Sequence, residues 1–76
     1  MATAIEPRTM TSVAKVIEIT AESSESFEDA IQNGIAKASE SVHAIRSAWV
    51  DGQQVKVEDG KVVSYRVDLK VTFVID

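Results

Sequence analysis

The strongest constraint on the fold is the alternation of apolar and polar residues that follows Asp59 and Gly60. The apolar positions are Val63, Tyr65, Val67, Leu69, Val71, Phe73 and Ile75, and the polar positions between them are Ser64, Arg66, Asp68, Lys70 and Thr72. A period of two predicts a strand with one buried face and one polar face. An Asp-Gly pair between valine-rich runs favours a two-residue hairpin turn, so residues 44–57 are predicted to form the antiparallel partner strand.

Two further elements are predicted before this hairpin. The segment from Ser12 to Ala21 is rich in β-branched residues that alternate, which is typical of a strand. The i, i+3 and i+4 spacing of an amphipathic helix is followed by Phe27, Ala30, Ile31, Ile35, Ala38 and Val42. Ser23 or Ser24 is the predicted N-cap of a helix of about four to five turns, with His43 at its C-terminus. The sequence therefore predicts an α+β fold in the order β-α-β-β, with a three-stranded antiparallel sheet packed on one amphipathic helix.

Two glycines lie inside predicted elements. Gly34 is expected to cost about 1 kcal/mol relative to alanine in a helix, and a close approach of the helix backbone to the sheet would explain it. Gly52 predicts a bulge or bend in its strand. Residues 1–11 lack periodicity and are predicted to form an N-terminal arm, whereas residues 12–76 form a single domain.

The composition excludes several classes of protein. A chain of 76 residues buries little surface, and this one has no cysteine and a single histidine, so association between copies is the reinforcement that remains available. The net charge of −4 argues against binding to a nucleic-acid backbone. No apolar run approaches the roughly 20 residues of a membrane-spanning helix, and the N-terminus does not resemble a secretory signal, so a cytoplasmic protein is expected.

Trp49 is the residue whose position raises a functional question. Counting outward from the two-residue turn places Trp49 opposite Lys70, and Ser47 opposite Thr72, on the polar face of the sheet. A shift of one residue at Gly52 would reverse the faces. An indole on that face indicates a subunit contact or a flat ligand. In the alternative interpretation, Trp49 packs against a neighbouring subunit with Arg66 or Lys70 over its ring.

The remaining polar residues predict no catalytic centre. His43 lacks a candidate nucleophile and an orienting acid, so no catalytic residue is assigned. Four acidic residues near the predicted helix start could supply oxygen ligands to Ca²⁺, although stabilisation of the helix dipole explains them equally well. These residues are Glu22, Glu25, Glu28 and Asp29. Asp51 and Asp59 are predicted to be turn residues.

Two motifs carry a resemblance to a known family. One is the pattern T-x-x-S-x-x-S-F-E-x-A from Thr20 to Ala30, and the other is D-G-K-V-V-x-Y-R-x-x-x-K-V-x-F from Asp59 to Phe73. With these motifs, the chain from about Val13 to its end resembles the dodecins. The resemblance implies a β-α-β-β protomer that assembles with itself into a hollow homododecamer. It also implies a non-enzymatic protein that binds or stores flavin, such as riboflavin, FMN or lumichrome.

The resemblance also nominates ligand-binding residues. In flavin-binding dodecins the stacking tryptophan precedes a glutamate by two positions; here Ser47 occupies the tryptophan position and Trp49 the glutamate position. Arg66, which follows Tyr65, replaces the glutamine that bonds the flavin. With Lys70, these are the candidate ligand-binding residues. Both departures resemble a second dodecin branch, with I-R-x-A-x-V and Y-R-x-x-x-x-V-x-F patterns, some of whose members are associated with calcium or other ions.

Overall fold

The computed structural model describes residues 13–75. The elements are strand β1 (Val13–Ser23), helix α1 (Phe27–Ala38), strand β2 (Ile45–Glu58) and strand β3 (Lys61–Ile75). The sheet has the order β1-β3-β2, and both pairs of strands are antiparallel. The predicted α+β fold is therefore confirmed. The arm predicted over residues 1–11, and Ser12 at the predicted start of β1, lie outside the described residues.

Strand β3 lies at the centre of the sheet and supplies most of the core. Its alternate residues Val67, Leu69 and Val71 are at most 1% exposed, and α1 contributes the buried Ala30. Apolar residues of both β1 and α1 pack around this centre, namely Ile17, Ile19, Ala21, Phe27, Ile31 and Ile35. The alternation that predicted one buried and one polar face is confirmed.

The start of the helix differs from the prediction. The N-cap is Ser26, whose hydroxyl accepts a hydrogen bond of 2.9 Å from the backbone N–H of Asp29. Ser23, one of the two predicted caps, is the last residue of β1. Its hydroxyl accepts from the backbone N–H of Glu25 at 2.9 Å and donates to the Asp29 carboxylate at 2.6 Å. Ser23 therefore stabilises the turn before the helix, because β1 continues two residues further than its alternation suggested.

The end of the helix also differs from the prediction. α1 has 12 residues, which is about three turns rather than four to five. Ser39 is its C-cap, and the Ser39 hydroxyl donates to the carbonyl of Ile35 at 2.8 Å. Residues 39–41 form a turn, so Val42 and His43 lie beyond the helix. The prediction that His43 lies at the helix C-terminus is wrong, and Lys37 is the basic residue in the last turn.

The hairpin has the predicted turn and the predicted register at Trp49. Asp59 and Gly60 have φ angles of 52° and 74°, the positive values that a tight hairpin turn of this kind requires. Two irregularities lie between the turn and Trp49, one between Lys56 and Val57 and one between Val50 and Gly52. The first adds a residue to β3 and the second adds one to β2, so their shifts cancel. Trp49 is consequently opposite Lys70, and the predicted bulge at Gly52 is confirmed.

Candidate functional site

Trp49 lies on the face of the sheet opposite α1, which we call the open face. Its partner Lys70 alternates with the buried residues Leu69 and Val71 of β3, so both side chains point away from the helix. The indole is 67% exposed. Trp49 therefore presents the flat surface of its ring to a ligand or subunit that approaches the open face.

Lys70 is a charged group beside the indole, and Asp51 is its partner. The Lys70 Nζ lies 5.6 Å from the centroid of the Trp49 ring, within the range of a cation–π interaction. The same Nζ is 4.0 Å from Oδ1 of Asp51. Asp51 is the extra residue of the bulge between Val50 and Gly52, and it lies two positions from Trp49, so alternation along β2 places it on the same face. Asp51 therefore supplies a carboxylate to the Trp49–Lys70 pair.

Asp51 was missed as a candidate by sequence reasoning, which predicted a turn residue. The structure places it inside β2, which runs continuously from Ile45 to Glu58. The signal that could have identified it is its spacing of two residues from Trp49. Residues two apart in a strand share a face, so a continuous β2 places the Asp51 carboxylate beside the indole.

Ser47 and Arg66 lie on the open face at different distances from the indole. Ser47 is opposite Thr72, two residues along β2 from Trp49. Arg66 is opposite Gln54 on one side and Glu22 on the other, and its Nε lies 3.7 Å from Oδ1 of Asp68. Lys70 lies four positions beyond Arg66 on β3, which corresponds to about 13 Å along the strand. The structure therefore brings Ser47, Trp49 and Lys70 together and places Arg66 at the far end of the same surface.

Tyr65 lies on the helix side of the sheet. Its ring packs edge-to-face against Phe27, with centroids 5.1 Å apart and an interplanar angle of 75°. Tyr65 therefore does not share a face with Trp49 within one protomer. Tyr65 contacts the start of α1 through Phe27, whereas its neighbour Arg66 faces the open side.

Several clefts accompany these surfaces. A cleft of about 160 Å³ next to the Lys70 side chain is lined by Glu18, Thr20, Asp51, Asp68 and Lys70. Another, of about 260 Å³, is lined by Glu22, Gln54, Lys56 and Arg66 at the far end of the open face. A larger cleft of about 610 Å³ lies between α1 and β1. We include the 160 Å³ cleft in the candidate site because it adjoins Lys70.

The acidic residues near the helix start do not form a metal site within the protomer. Asp29 accepts from Ser23, and Glu22 accepts from the Ser64 hydroxyl at 3.3 Å across the sheet. Across residues 13–75, no three His, Cys, Asp or Glu side chains come together in a way that could hold a metal ion. Nor does any helix in the described part of the chain have the length and apolar character needed to cross a membrane.

A β-α-β-β protomer with a helix on one side and an exposed aromatic residue on the other defines a small class of ligand-binding α+β proteins. The family model for dodecins matches residues 13–76. The calcium dodecin of Mycobacterium tuberculosis is 39% identical over 62 residues, which make up 82% of this chain and 87% of that protein. This chain belongs to the dodecin family.

Solved structures agree with this assignment. The dodecin from Streptomyces davaonensis superposes with a TM-score of 0.82 at 30% identity, covering 88% of this chain and 98% of that one. The crystal structure of the calcium dodecin from Mycobacterium tuberculosis gives a TM-score of 0.73 at 39% identity, covering 86% of this chain and 93% of that one. That protein is described as calcium-chelating, with a novel calcium-binding site.

Proposed function

We propose that this dodecin is a non-enzymatic protein that assembles into a hollow homododecamer and sequesters a flat aromatic ligand against Trp49. The observation that carries the proposal is the 67% exposed indole on the open face. A flavin such as riboflavin, FMN or lumichrome is the first candidate, because its flat aromatic ring system can stack on the indole. The cytoplasmic location expected from the sequence remains a prediction.

Uncovered apolar surface supports self-assembly. Besides Trp49, the exposed large apolar residues are Val13, Val16, Val55, Val57, Val62, Val63 and Ile75. Four of them lie near the hairpin turn, and Val57 is directly opposite Val62. Contiguous exposed apolar patches on a small protein indicate an interaction surface, and the small buried core makes an isolated protomer marginally stable. A neighbouring copy would cover this surface.

The chemistry of the open face suits a flat ring with polar edges. Stacking of a base on an aromatic side chain contributes about 1 to 3 kcal/mol, and a flavin ring offers a comparable surface. Arg66 can donate hydrogen bonds to a carbonyl or phosphate oxygen at the distal end of the ligand. If two subunits meet at this face, a ring can stack between their Trp49 side chains.

A riboflavin titration of the ligand-free protein tests the proposal. Saturable, mutual quenching of flavin and Trp49 fluorescence at a fixed stoichiometry is expected. Trp49→Leu should abolish binding, whereas Tyr65→Phe on the helix side of the sheet should preserve it. An assembled protein that shows no quenching, or that binds riboflavin equally well as the Trp49→Leu variant, contradicts the proposal.

A second candidate function is the binding of calcium or other ions. The observation that favours it is the 39% identity to the Mycobacterium tuberculosis calcium dodecin. Because residues 13–75 contain no ready cluster of three ligands in one protomer, such a site would need carboxylates from more than one subunit. Calorimetric titration with Ca²⁺ and Mg²⁺ tests it. Saturable Ca²⁺ binding by the assembly, together with a failure of riboflavin to bind, would favour this function over the first.

A further inference from the structure

We propose that Lys70 caps the ring of Trp49 in the empty site and moves toward Asp51 when a flat ligand stacks on the indole. The pair Lys70–Asp51 would then determine how tightly the open face binds its ligand. This inference rests on the proposed function, since it assumes a ligand that stacks on Trp49. It assigns roles to two residues outside the aromatic surface itself.

The Lys70 ammonium group lies near both the Trp49 ring and the Asp51 carboxylate. It lies 5.6 Å from the Trp49 ring centroid and 4.0 Å from Oδ1 of Asp51. The first distance is within the cation–π range, and the second is at the outer limit of an ion pair. The ammonium therefore lies between two partners, closer in character to a contact with the ring than to a tight ion pair with the carboxylate.

A cleft beside Lys70 can accommodate its side chain when a ligand displaces it from the ring. This 160 Å³ cleft is lined by Glu18, Asp51 and Asp68 among others. Asp68 already accepts a hydrogen bond from Thr20 at 3.1 Å and lies 3.7 Å from Arg66. The carboxylates of Asp51 and Glu18 are therefore the other partners available to a displaced Lys70. The side chains of Lys70 and Asp51 are 35% and 46% exposed, so the movement requires no repacking of the core.

A ligand that stacks on the indole must compete with this cation. An exposed cation–π contact opposes binding by about two- to fivefold, judged from its usual strength. Asp51 acts in the opposite direction, because its carboxylate stabilises Lys70 in the position that leaves the ring free.

Riboflavin titrations of the assembled full-length protein test the inference, with light scattering to verify equal assembly of each variant. Lys70→Ala should tighten binding about two- to fivefold because it removes the cap. Lys70→Arg keeps the charge and stacks more readily on an indole, so it should weaken binding. Asp51→Asn should also weaken binding. The double variant Lys70→Ala/Asp51→Asn should match Lys70→Ala alone, because Asp51 acts through Lys70.

The possible outcomes separate this inference from the function on which it rests. If Lys70→Ala leaves riboflavin binding unchanged or weakens it, Lys70 does not cap the ring. The same conclusion follows if Asp51→Asn still changes binding when Lys70 is absent. Either result leaves the proposed binding of an aromatic ligand to Trp49 intact. Failure of riboflavin to bind any variant, including Lys70→Ala, overturns both proposals.

Discussion

A Cβ atom added to Gly34 would lie 3.0 Å from the Cβ of Ala21, a closer contact than most real Cβ atoms make. The next nearest atom is Cδ1 of Leu69 at 3.5 Å. The Ala21 methyl group is fixed to the backbone of β1 and cannot rotate out of the way. Gly34 therefore determines how closely α1 approaches the sheet, which confirms the reason for a glycine that the sequence suggested.

Gly34→Ala is expected to destabilise the protein even though alanine is the better helix former. The gain in helix propensity is about 1 kcal/mol, whereas overpacking a close contact costs about 1 to 3 kcal/mol. Urea denaturation at a fixed protomer concentration measures the net effect. Gln32→Ala, on the exposed side of the helix, is the control and should be near neutral. The double variant Ala21→Gly/Gly34→Ala should recover part of the loss, and a stabilising Gly34→Ala would contradict the close contact.

The position of the N-cap gives a second prediction. Ser26→Ala should lower the free energy of unfolding by about 1 kcal/mol, because the Asp29 N–H would lose its acceptor at the helix start. Ser24, which is exposed, was an equally plausible cap from sequence. Ser24→Ala is therefore the matched control and should change stability by no more than a few tenths of a kcal/mol. Equal effects of the two substitutions, measured by urea denaturation, would place the cap elsewhere.

The elements of the fold were predictable because their signals are periodic. The alternation along β3 identified its buried face, and Asp59-Gly60 located the hairpin turn. The helix boundaries were not predictable with the same accuracy, since several serines near Ser26 have similar capping chemistry. The apolar spacing also continued to Val42 although the Ser39 hydroxyl competes for the Ile35 carbonyl and a turn follows.

The site was predictable only in part, because its face depended on irregularities in the ladder. A single bulge would have moved Trp49 to the helix side, and the register holds because two irregularities cancel. No periodic signal in the sequence reveals the irregularity between Lys56 and Val57. Asp51 was assigned to a turn because an Asp-Gly pair is typical of turns, whereas β2 continues through it.

Ala44 provides a third prediction because its φ angle is 60°, a left-handed conformation that is unfavourable for alanine. Ala44→Gly should stabilise the protein by about 0.5 to 1 kcal/mol, since glycine adopts this conformation without a Cβ penalty. The matched control is Ala48→Gly, an exposed residue inside β2, where the same substitution should destabilise by a similar amount. Thermal or urea unfolding at equal protomer concentration measures both. The same sign for the two variants would argue against a strained Ala44.

The hairpin valines give the last prediction, which concerns assembly. Val55 is opposite Tyr65 on the helix side of the sheet, and alternation places Val57 on the same side, beyond the reach of α1. At 55% exposure, Val57 tolerates a lysine within the protomer, but a lysine buried against a neighbouring copy would be strongly unfavourable.

Val57→Lys should therefore raise the concentration at which the assembly dissociates by tenfold or more, measured by light scattering across a dilution series. Glu58→Lys changes the charge more, at the adjacent and exposed residue, and should leave the mass of the assembly near that of the native protein. If Glu58→Lys dissociates the assembly as readily as Val57→Lys, net charge rather than the valine surface controls association. If neither does, subunits meet elsewhere on the protomer.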